Sequence, residues 1–183
     1  MPIVTTIEGR IAQVAIDRPE KRNTLSSELC KDLAREFLEL NDDTRVRSIV
    51  LCGHNNVFCA GLDIEEQLAE NTPIFNEFQK VIDALDALSK PVVAAVSGPA
   101  VSQGAAMLYH CDLVFAGEHA LFSMPGLALG QTPRYGVSLL AVKSGGYKLA
   151  AQKLLLSEPI SAAEAVAMGL VNHVVEDDKV MTV

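Results

Sequence analysis

The sequence predicts an α/β fold in which buried strands alternate with amphipathic helices. Residues 48–53 and 92–96 are short and almost wholly apolar, which is typical of parallel strands covered on both faces. Between these strands, apolar residues recur at intervals of three or four, the spacing of one helix face. The alternation continues to the end of the chain, which favours one interleaved α/β unit over separate helical and sheet domains.

The elements of the first half follow from hydrophobic spacing and capping signals. Residues 3–7 and 11–16 alternate apolar and polar residues around a glycine-containing turn, which predicts a hairpin. Apolar spacing predicts a helix over about residues 26–43. Asp63 suits the N-cap of a following helix. A further helix is centred on residues 74–85.

The second half begins with a predicted turn at residues 97–99 and a helix of small residues at 104–110. The remaining central elements are two strands at 113–116 and 120–123, a loop at 124–136, and two helices at 137–142 and 147–155. Ser161 and Glu164 form a capping-box signal for a last helix. Residues 170–175 then predict a closing strand.

Composition and charge restrict the class of protein. The 183 residues carry 15 Lys and Arg against 23 Asp and Glu, for a formal net charge of -8. An acidic chain without a basic cluster argues against binding nucleic acid or an anionic membrane. No apolar run approaches the roughly 18 residues of a membrane span, and the N-terminus lacks a signal-peptide pattern. We therefore expect one domain over residues 1–183, located in the cytoplasm or, in a eukaryote, an organelle matrix.

The cysteines predict free thiols in a reducing compartment and no metal site. They are scattered along the chain without the spacing of a disulfide framework: Cys30, Cys52, Cys59 and Cys111. Cys52, His54 and Cys59 lie close together in sequence, but no second ligand pair with the spacing of a zinc site follows them.

Two loops are candidates for binding an anionic atom. Residues 57–63 and 98–104 each join a buried strand to a helix through small residues, an arrangement that offers backbone N–H groups. Two such loops facing each other would supply the two donors that an oxyanion hole requires. For either loop alone, a simple turn is the favoured interpretation of the glycine.

A series of short motifs extends this interpretation to the whole chain. They are RPEKRNTL at 18–25, FCAGLDI at 58–64, AVSGPA at 95–100, CDL at 111–113, FSMP at 122–125, LG at 129–130, ISAAEA at 160–165 and GLV at 169–171. In this order and near this spacing, the series resembles the enoyl-CoA hydratase/isomerase (crotonase) family. No single motif is decisive, but the ordered series is specific.

The resemblance implies a crotonase-like spiral of ββα units that binds a coenzyme A thioester as substrate, with no tightly bound cofactor. It implies an oxyanion hole formed by the backbone N–H groups of Ala60 and Gln103. Family members have glycine where this chain has Gln103, a departure that keeps the N–H but is expected to narrow the pocket. The family also implies a homotrimer or a hexamer.

The resemblance further implies which positions hold the nucleotide end of coenzyme A. They lie after the Arg-Pro pair and around the Ala-Gly-x-Asp motif: Lys21, Arg22, Leu25, Leu62, Asp63 and Ile64. Lys21 and Arg22 could meet the phosphates of the ligand. Taken as bare residues, the same two side chains are better explained as an ordinary solvated pair.

The acids that the family uses for hydration are missing. The two glutamate positions correspond to Ala106 and Gly126, and a glutamate position of the isomerase branch corresponds to Arg134. Tyr135, next in the same loop, resembles a tyrosine of family members that decarboxylate malonyl-type thioesters. Decarboxylation or isomerisation on an acyl-CoA is therefore expected in preference to hydration, with Arg134 binding a substrate carboxylate and Tyr135 supplying a proton.

Two further expectations remain open from the sequence. The empty acid positions favour a second hypothesis, a catalytically silent homologue that binds acyl-CoA or serves as an interaction module. Related chains usually continue for several helices beyond the position that corresponds to residue 183. The resemblance therefore implies a crotonase-like core that lacks the usual C-terminal helical region.

Overall fold

The computed structural model describes residues 2–69 and 73–182. The strands are β1 (Ile3–Glu8), β2 (Ile11–Ile16), β3 (Ser48–Gly53), β4 (Val92–Val96), β5 (Pro99–Val101), β6 (Leu113–Gly117), β7 (Leu121–Ser123), β8 (Ile160–Ser161) and β9 (His173–Val175). The helices are α1 (Ser27–Asp42), α2 (Ile64–Gln67), α3 (Ile74–Ala87), α4 (Gln103–Leu108), α5 (Val137–Gly145), α6 (Tyr147–Leu156) and α7 (Ala162–Ala167). The predicted alternation of strands and helices is confirmed.

The strands form two sheets. In the larger sheet the order is β1-β2-β3-β4-β6-β9; the first pair is antiparallel, and every later pair is parallel. The smaller sheet has the order β5-β7-β8. Two isolated bridges, Leu25 to Leu62 and Cys59 to Ala100, continue the pairing of the smaller sheet towards the N-terminus. Successive units therefore contribute one segment to each sheet before entering a helix, which is a ββα spiral.

Both faces of the larger sheet are covered at its centre. Neighbouring residues of β3, Leu51 and Cys52, are both buried, as are Ala94 and Ala95 of β4. Because successive side chains of a strand point to opposite faces, this burial requires packing on each side. The four largest fully buried side chains are Phe37, Phe58, Phe78 and Phe122. Burial of such a side chain contributes roughly 1.5–3 kcal/mol to folding.

The predicted capping residues perform that role. The Ser26 hydroxyl accepts the Leu29 N–H at 3.1 Å, at the start of α1. Asp63 caps α2 by accepting the Glu65 N–H at 3.1 Å. The capping box predicted from Ser161 and Glu164 is present at the start of α7.

Two details differ from the sequence expectations. The predicted turn at residues 97–99 is shorter, because Pro99 is already the first residue of β5. Proline is tolerated at the start of a strand, and three residues are too few to produce a periodic signal. The predicted closing strand at 170–175 is also shorter. The Leu170 and Val171 N–H groups both donate to the Ala165 carbonyl at the end of α7, so those residues complete the helix terminus.

Within residues 2–69 and 73–182, no helix has the length and apolar character needed to cross a membrane. No group of three or more His, Cys, Asp or Glu side chains in the same ranges is arranged to hold a metal ion.

The Glu164 carboxylate links α7 to a buried lysine of α6. The Lys153 side chain is 4% exposed, and its Nζ lies 2.7 Å from Glu164 Oε1. Hydrogen bonds from Lys153 and from Ser161 lower the pKa of Glu164 from 4.5 to about 2. Since the folded-state pKa is depressed, this contribution to stability is present above about pH 4.5 and is lost as the pH falls towards 2.

We predict that Glu164→Gln lowers the free energy of unfolding at pH 7 by about 1 kcal/mol, because glutamine keeps the capping box but not the charge beside Lys153. Urea unfolding at pH 7 and at pH 2 provides the measurement. The difference between variant and wild type should shrink at the lower pH. A constant difference across that range would contradict the ion-pair explanation.

Candidate active site

The two loops predicted from the sequence lie side by side in the structure. The Phe58 N–H donates to the Pro99 carbonyl at 3.0 Å, and the Val101 N–H donates to the Cys59 carbonyl at 2.9 Å. These are the hydrogen bonds of a short parallel pair centred on Cys59 and Ala100. The backbone itself therefore fixes the distance between the loops.

Glycine permits this close approach. A Cβ atom at Gly104 would overlap the carbonyl oxygen of Cys59, so α4 packs against the first loop only without a side chain there. Gly61 has a φ of +94, which disfavours an ordinary side chain at the turn before Leu62. The small-residue signals at these two positions thus reflect tight packing and backbone conformation.

The expected donor at Ala60 is already engaged. Its N–H donates to the Arg22 carbonyl at 3.2 Å, so in this structure Ala60 does not offer a free N–H. The N–H of Leu62 instead points towards the side-chain oxygen of Gln103, with an N to Oε1 distance of 3.4 Å. The Arg22 carbonyl accepts from Ala60 and not from Leu62, and this choice decides which backbone N–H of the turn is available. The sequence alone does not show which N–H the carbonyl accepts from.

Gln103 supplies the second expected donor. Its backbone N–H is the first of α4 and has no hydrogen-bond acceptor within residues 2–69 and 73–182. The residue as a whole is 6% exposed. Its amide oxygen is the acceptor that faces the Leu62 N–H. The side chain predicted to narrow the pocket therefore reaches the donor group itself.

A cavity of about 50 Å³ opens beside Gln103. Ala106 and Gly126, the two positions that lack glutamate, both line it, as do Arg134 and Tyr135. The structure thus brings together the substituted acid positions and three of the four predicted catalytic residues. Ala106 is 4% exposed, so an acid there would face the cavity from within the core.

Tyr135 is held firmly in the wall of this cavity. Its backbone has a φ of 57, a conformation that is uncommon for residues other than glycine. Its hydroxyl donates to the Phe75 carbonyl at 3.3 Å, and its ring meets Phe78 edge to face at 4.7 Å. Burial raises the pKa of Tyr135 to about 12. The hydroxyl is thus a weak acid that is engaged with the backbone.

Arg134 lies at the exposed side of the cavity. Its guanidinium carbon is 4.7 Å from the centre of the Phe75 ring. Stacking uses the face of the guanidinium and leaves its in-plane N–H donors available for a carboxylate. This placement is compatible with the predicted binding of a substrate carboxylate.

His110, just after α4, contacts the same loop. Its Nδ1 lies 2.8 Å from Asp86 Oδ1, and its Nε2 lies 2.9 Å from the Tyr135 carbonyl oxygen. Because a carbonyl only accepts, Nε2 carries a hydrogen in this arrangement. The three residues are distant in sequence, so spacing gave no signal of their contact.

The six residues expected to hold the nucleotide converge at one junction but differ in exposure. The Leu25 N–H donates to the Gly61 carbonyl at 2.8 Å, and the Asp63 N–H donates to the Leu25 carbonyl at 2.8 Å. The Leu25 and Leu62 side chains are buried, whereas Ile64 is 62% exposed. Leu25 and Leu62 therefore present mainly backbone at this junction.

Of the charged members of the group, Lys21 and Asp63 are already paired, and Arg22 is exposed. Lys21 Nζ lies 2.7 Å from Glu65 Oε2, and this hydrogen bond raises the pKa of Lys21. Asp63 accepts from Arg18 at 3.1 Å and is 4% exposed. A phosphate that binds Lys21 would compete with Glu65, while Asp63 is best suited to hold the turn.

Asn23 ties the loop after the Arg-Pro pair to the loop after β3. Its Nδ2 donates to the carbonyls of His54 at 3.0 Å and Val57 at 2.6 Å, and its Oδ1 accepts the Arg18 N–H at 2.8 Å. Asn23 is fully buried and has a φ of 57, which asparagine tolerates better than most residues. Its position within a motif was the only sequence signal.

Residues 6–183 match the family model described as enoyl-CoA hydratase/isomerase. The chain belongs to the enoyl-CoA hydratase/isomerase family. This confirms the family that the ordered motifs predicted.

Individual relatives support the same assignment. The chain is 35% identical over 184 residues to the short-chain-enoyl-CoA hydratase of Clostridium acetobutylicum, covering 98% of this chain and 70% of that protein. It is 32% identical over 178 residues to the 2,3-dehydroadipyl-CoA hydratase of Escherichia coli, covering 96% of this chain and 70% of that one.

A solved structure of an enoyl-CoA hydratase/isomerase from Pseudoalteromonas atlantica superposes with a TM-score of 0.92. It is 33% identical, and the match covers 99% of this chain and 72% of that structure. The predicted crotonase-like fold is therefore confirmed. The roles of the individual site residues stay predictions.

We predict that Asn23→Ala lowers the free energy of unfolding by about 3 kcal/mol, since it removes three hydrogen bonds to partly buried backbone groups and strains the backbone. Asn23→Gly is the matched control, because glycine removes the same hydrogen bonds but accepts a positive φ. We expect it to be about 1 kcal/mol less destabilising than alanine. Urea denaturation of both variants tests this, and midpoints equal to that of the wild type would refute it.

Proposed function

We propose that this protein binds acyl-CoA thioesters and promotes their decarboxylation or isomerisation by stabilising an enolate. The proposal does not include hydratase chemistry. The observation that carries the proposal is the Leu62 N–H, which faces the side-chain oxygen of Gln103 at 3.4 Å, and Gln103 in turn lines the cavity. Together with the Gln103 N–H, it would supply the two donors that an oxyanion requires. Leu62 replaces Ala60 in this role, because the Ala60 N–H is engaged by Arg22.

The lining of the cavity supports the exclusion of hydration. Adding water across a double bond requires one group to activate the water and another to deliver a proton. Ala106 and Gly126 carry no ionisable group. General acid/base catalysis typically contributes about 10²–10⁴-fold, so a hydratase without these groups would be slow.

Decarboxylation makes smaller demands on the protein. The bond between the carboxylate carbon and the α-carbon breaks, CO₂ leaves, and the electron pair enters the enolate that the two N–H groups stabilise. Arg134 would hold the carboxylate beforehand. One proton must then reach the α-carbon, and Tyr135 is the proposed donor, provided that its hydroxyl leaves the Phe75 carbonyl.

The coenzyme A nucleotide would lie at the junction of the first two loops. Lys21 and Arg22 are the proposed phosphate contacts, and the turn around Leu25, Leu62, Asp63 and Ile64 would supply the remaining contacts. No tightly bound cofactor is needed for this chemistry. The proposal includes a cytoplasmic location and assembly as a homotrimer or hexamer, both of which rest on the sequence and the resemblance.

A second candidate function is catalytically silent binding of acyl-CoA, or a role as an interaction module. It is favoured because two groups that catalysis would need, the Tyr135 hydroxyl and the Leu62 N–H, already have hydrogen-bond partners within the protein. The Tyr135 hydroxyl donates to the Phe75 carbonyl, and the Gln103 amide oxygen occupies the Leu62 N–H.

Reaction assays in heavy water separate the two candidates. We incubate the protein with crotonyl-CoA, a 3-enoyl-CoA and methylmalonyl-CoA and follow α-carbon deuteration and products by mass spectrometry. We expect product from methylmalonyl-CoA or the 3-enoyl-CoA, with hydration of crotonyl-CoA at least about 10²-fold slower than in an enzyme with both acids. Binding without exchange or turnover on any substrate would support the silent candidate. Absence of binding in calorimetry with coenzyme A would overturn both.

Arg134→Ala tests the carboxylate contact. We predict a decrease of about 10- to 100-fold in kcat/KM for malonyl-type thioesters, because a charge-assisted pair is lost. Binding of crotonyl-CoA, which has no carboxylate, serves as the control and should be unchanged. Arg134→Lys should restore only part of the loss, since lysine lacks the bidentate geometry. Unchanged turnover and affinity in Arg134→Ala would remove Arg134 from the proposal.

A further inference from the structure

We propose that the Gln103 side chain is a gate on the oxyanion hole, which a thioester carbonyl must displace, and that the gate favours short acyl groups. In the free protein the amide oxygen of Gln103 would occupy the acceptor position at the Leu62 N–H. This inference rests on the proposed function, because it assumes that the hole receives a thioester carbonyl. It concerns a side chain particular to this chain at a position where the family resemblance implies glycine.

The contact identifies which end of the amide faces the hole. The Leu62 N–H is a donor, so the group that faces it at 3.4 Å must be the oxygen of Gln103 and not its NH₂. Within residues 2–69 and 73–182, Leu62 N–H has no other acceptor. The amide carbonyl of Gln103 therefore presents the same chemical group that a thioester would present.

The space around the amide oxygen is small. A Cβ atom at Gly61 would lie 3.2 Å from Gln103 Oε1 and 3.1 Å from the Val101 carbonyl oxygen. The glycine thus leaves room for an acceptor oxygen, but a second oxygen at the same N–H would collide with the first. Occupation by Gln103 and occupation by substrate are mutually exclusive.

The contact is weak enough to be exchanged. A donor to acceptor distance of 3.4 Å is longer than the usual 2.7–3.2 Å for N–H to O hydrogen bonds. A thioester carbonyl would accept two hydrogen bonds, one from the Leu62 N–H and one from the Gln103 backbone N–H. The amide oxygen of the Gln103 side chain accepts only the bond from Leu62. The gate therefore lowers affinity without preventing binding.

The displaced amide must occupy space that the acyl group also needs. Gln103 is 6% exposed and lines the cavity of about 50 Å³, which is the adjacent free volume. A rotated amide group would fill much of that space. Short acyl groups such as acetyl or malonyl then fit beside it more readily than long chains do.

Two variants separate the hydrogen bond from the bulk of the side chain. Gln103→Ala keeps the backbone N–H and removes the gate. Gln103→Met keeps a side chain of similar length but has no strong acceptor for Leu62. Calorimetry with acetyl-CoA, octanoyl-CoA and free coenzyme A measures affinity, and the carbonyl stretch of ¹³C-labelled acetyl-CoA reports polarisation in the hole.

We expect Gln103→Ala to bind acetyl-CoA about 3- to 10-fold tighter than the wild type, with a larger gain for octanoyl-CoA and no change for free coenzyme A. Gln103→Met should show part of the gain in acetyl-CoA affinity that Gln103→Ala shows. It should show none of the additional gain in octanoyl-CoA affinity. In the free protein, the Leu62 amide should exchange with solvent at least about fivefold faster in Gln103→Ala than in the wild type.

The outcomes distinguish this inference from the proposed function. Equal affinities of wild type and Gln103→Ala for acetyl-CoA, or equal exchange of the Leu62 amide, would overturn the gate while leaving acyl-CoA binding intact. Failure of the wild type and both variants to bind either free coenzyme A or acetyl-CoA would overturn the proposed function and, with it, the displacement step.

Discussion

The close parallel pairing of two loops determines the rest of the site. The backbone hydrogen bonds on either side of Cys59 and Ala100 hold the loops at the spacing of neighbouring strands, and Gly104 allows α4 to follow without a collision. Leu62 comes shortly after Cys59 in the first loop, and Gln103 comes shortly after Ala100 in the second. The positions of the Leu62 and Gln103 N–H groups therefore depend on the pairing of Cys59 with Ala100.

The cavity wall combines a retained scaffold with altered chemistry. The fold is that of the enoyl-CoA hydratase/isomerase family, and Ala106 and Gly126 line the cavity at the positions where the resemblance implies the acids of hydration. Under the proposed function the protein would still polarise a carbonyl, because backbone N–H groups do not depend on side-chain identity. Polarisation and proton transfer would then be carried by separate parts of the molecule.

The sequence predicted most of the elements, because burial on both faces and helical spacing leave strong periodic signals. It missed β5 and β8, which are too short to show a period. It also placed the first donor at Ala60, since a motif identifies a turn but not which N–H of that turn remains free. The contacts of His110 with Asp86 and Tyr135 join residues that lie far apart in the chain, and only the folded structure brings them together.

The outer edge of the larger sheet has a consequence for solubility. In the part of the chain that the structure describes, β9 lies at one end of that sheet and pairs only with β6. An edge strand exposes backbone groups that can recruit a strand from another molecule and start aggregation. Here the strand is only three residues long, and the acidic residues Glu176, Asp177 and Asp178 follow it directly. Shortness and like charge together make this edge a poor template for intermolecular β-pairing.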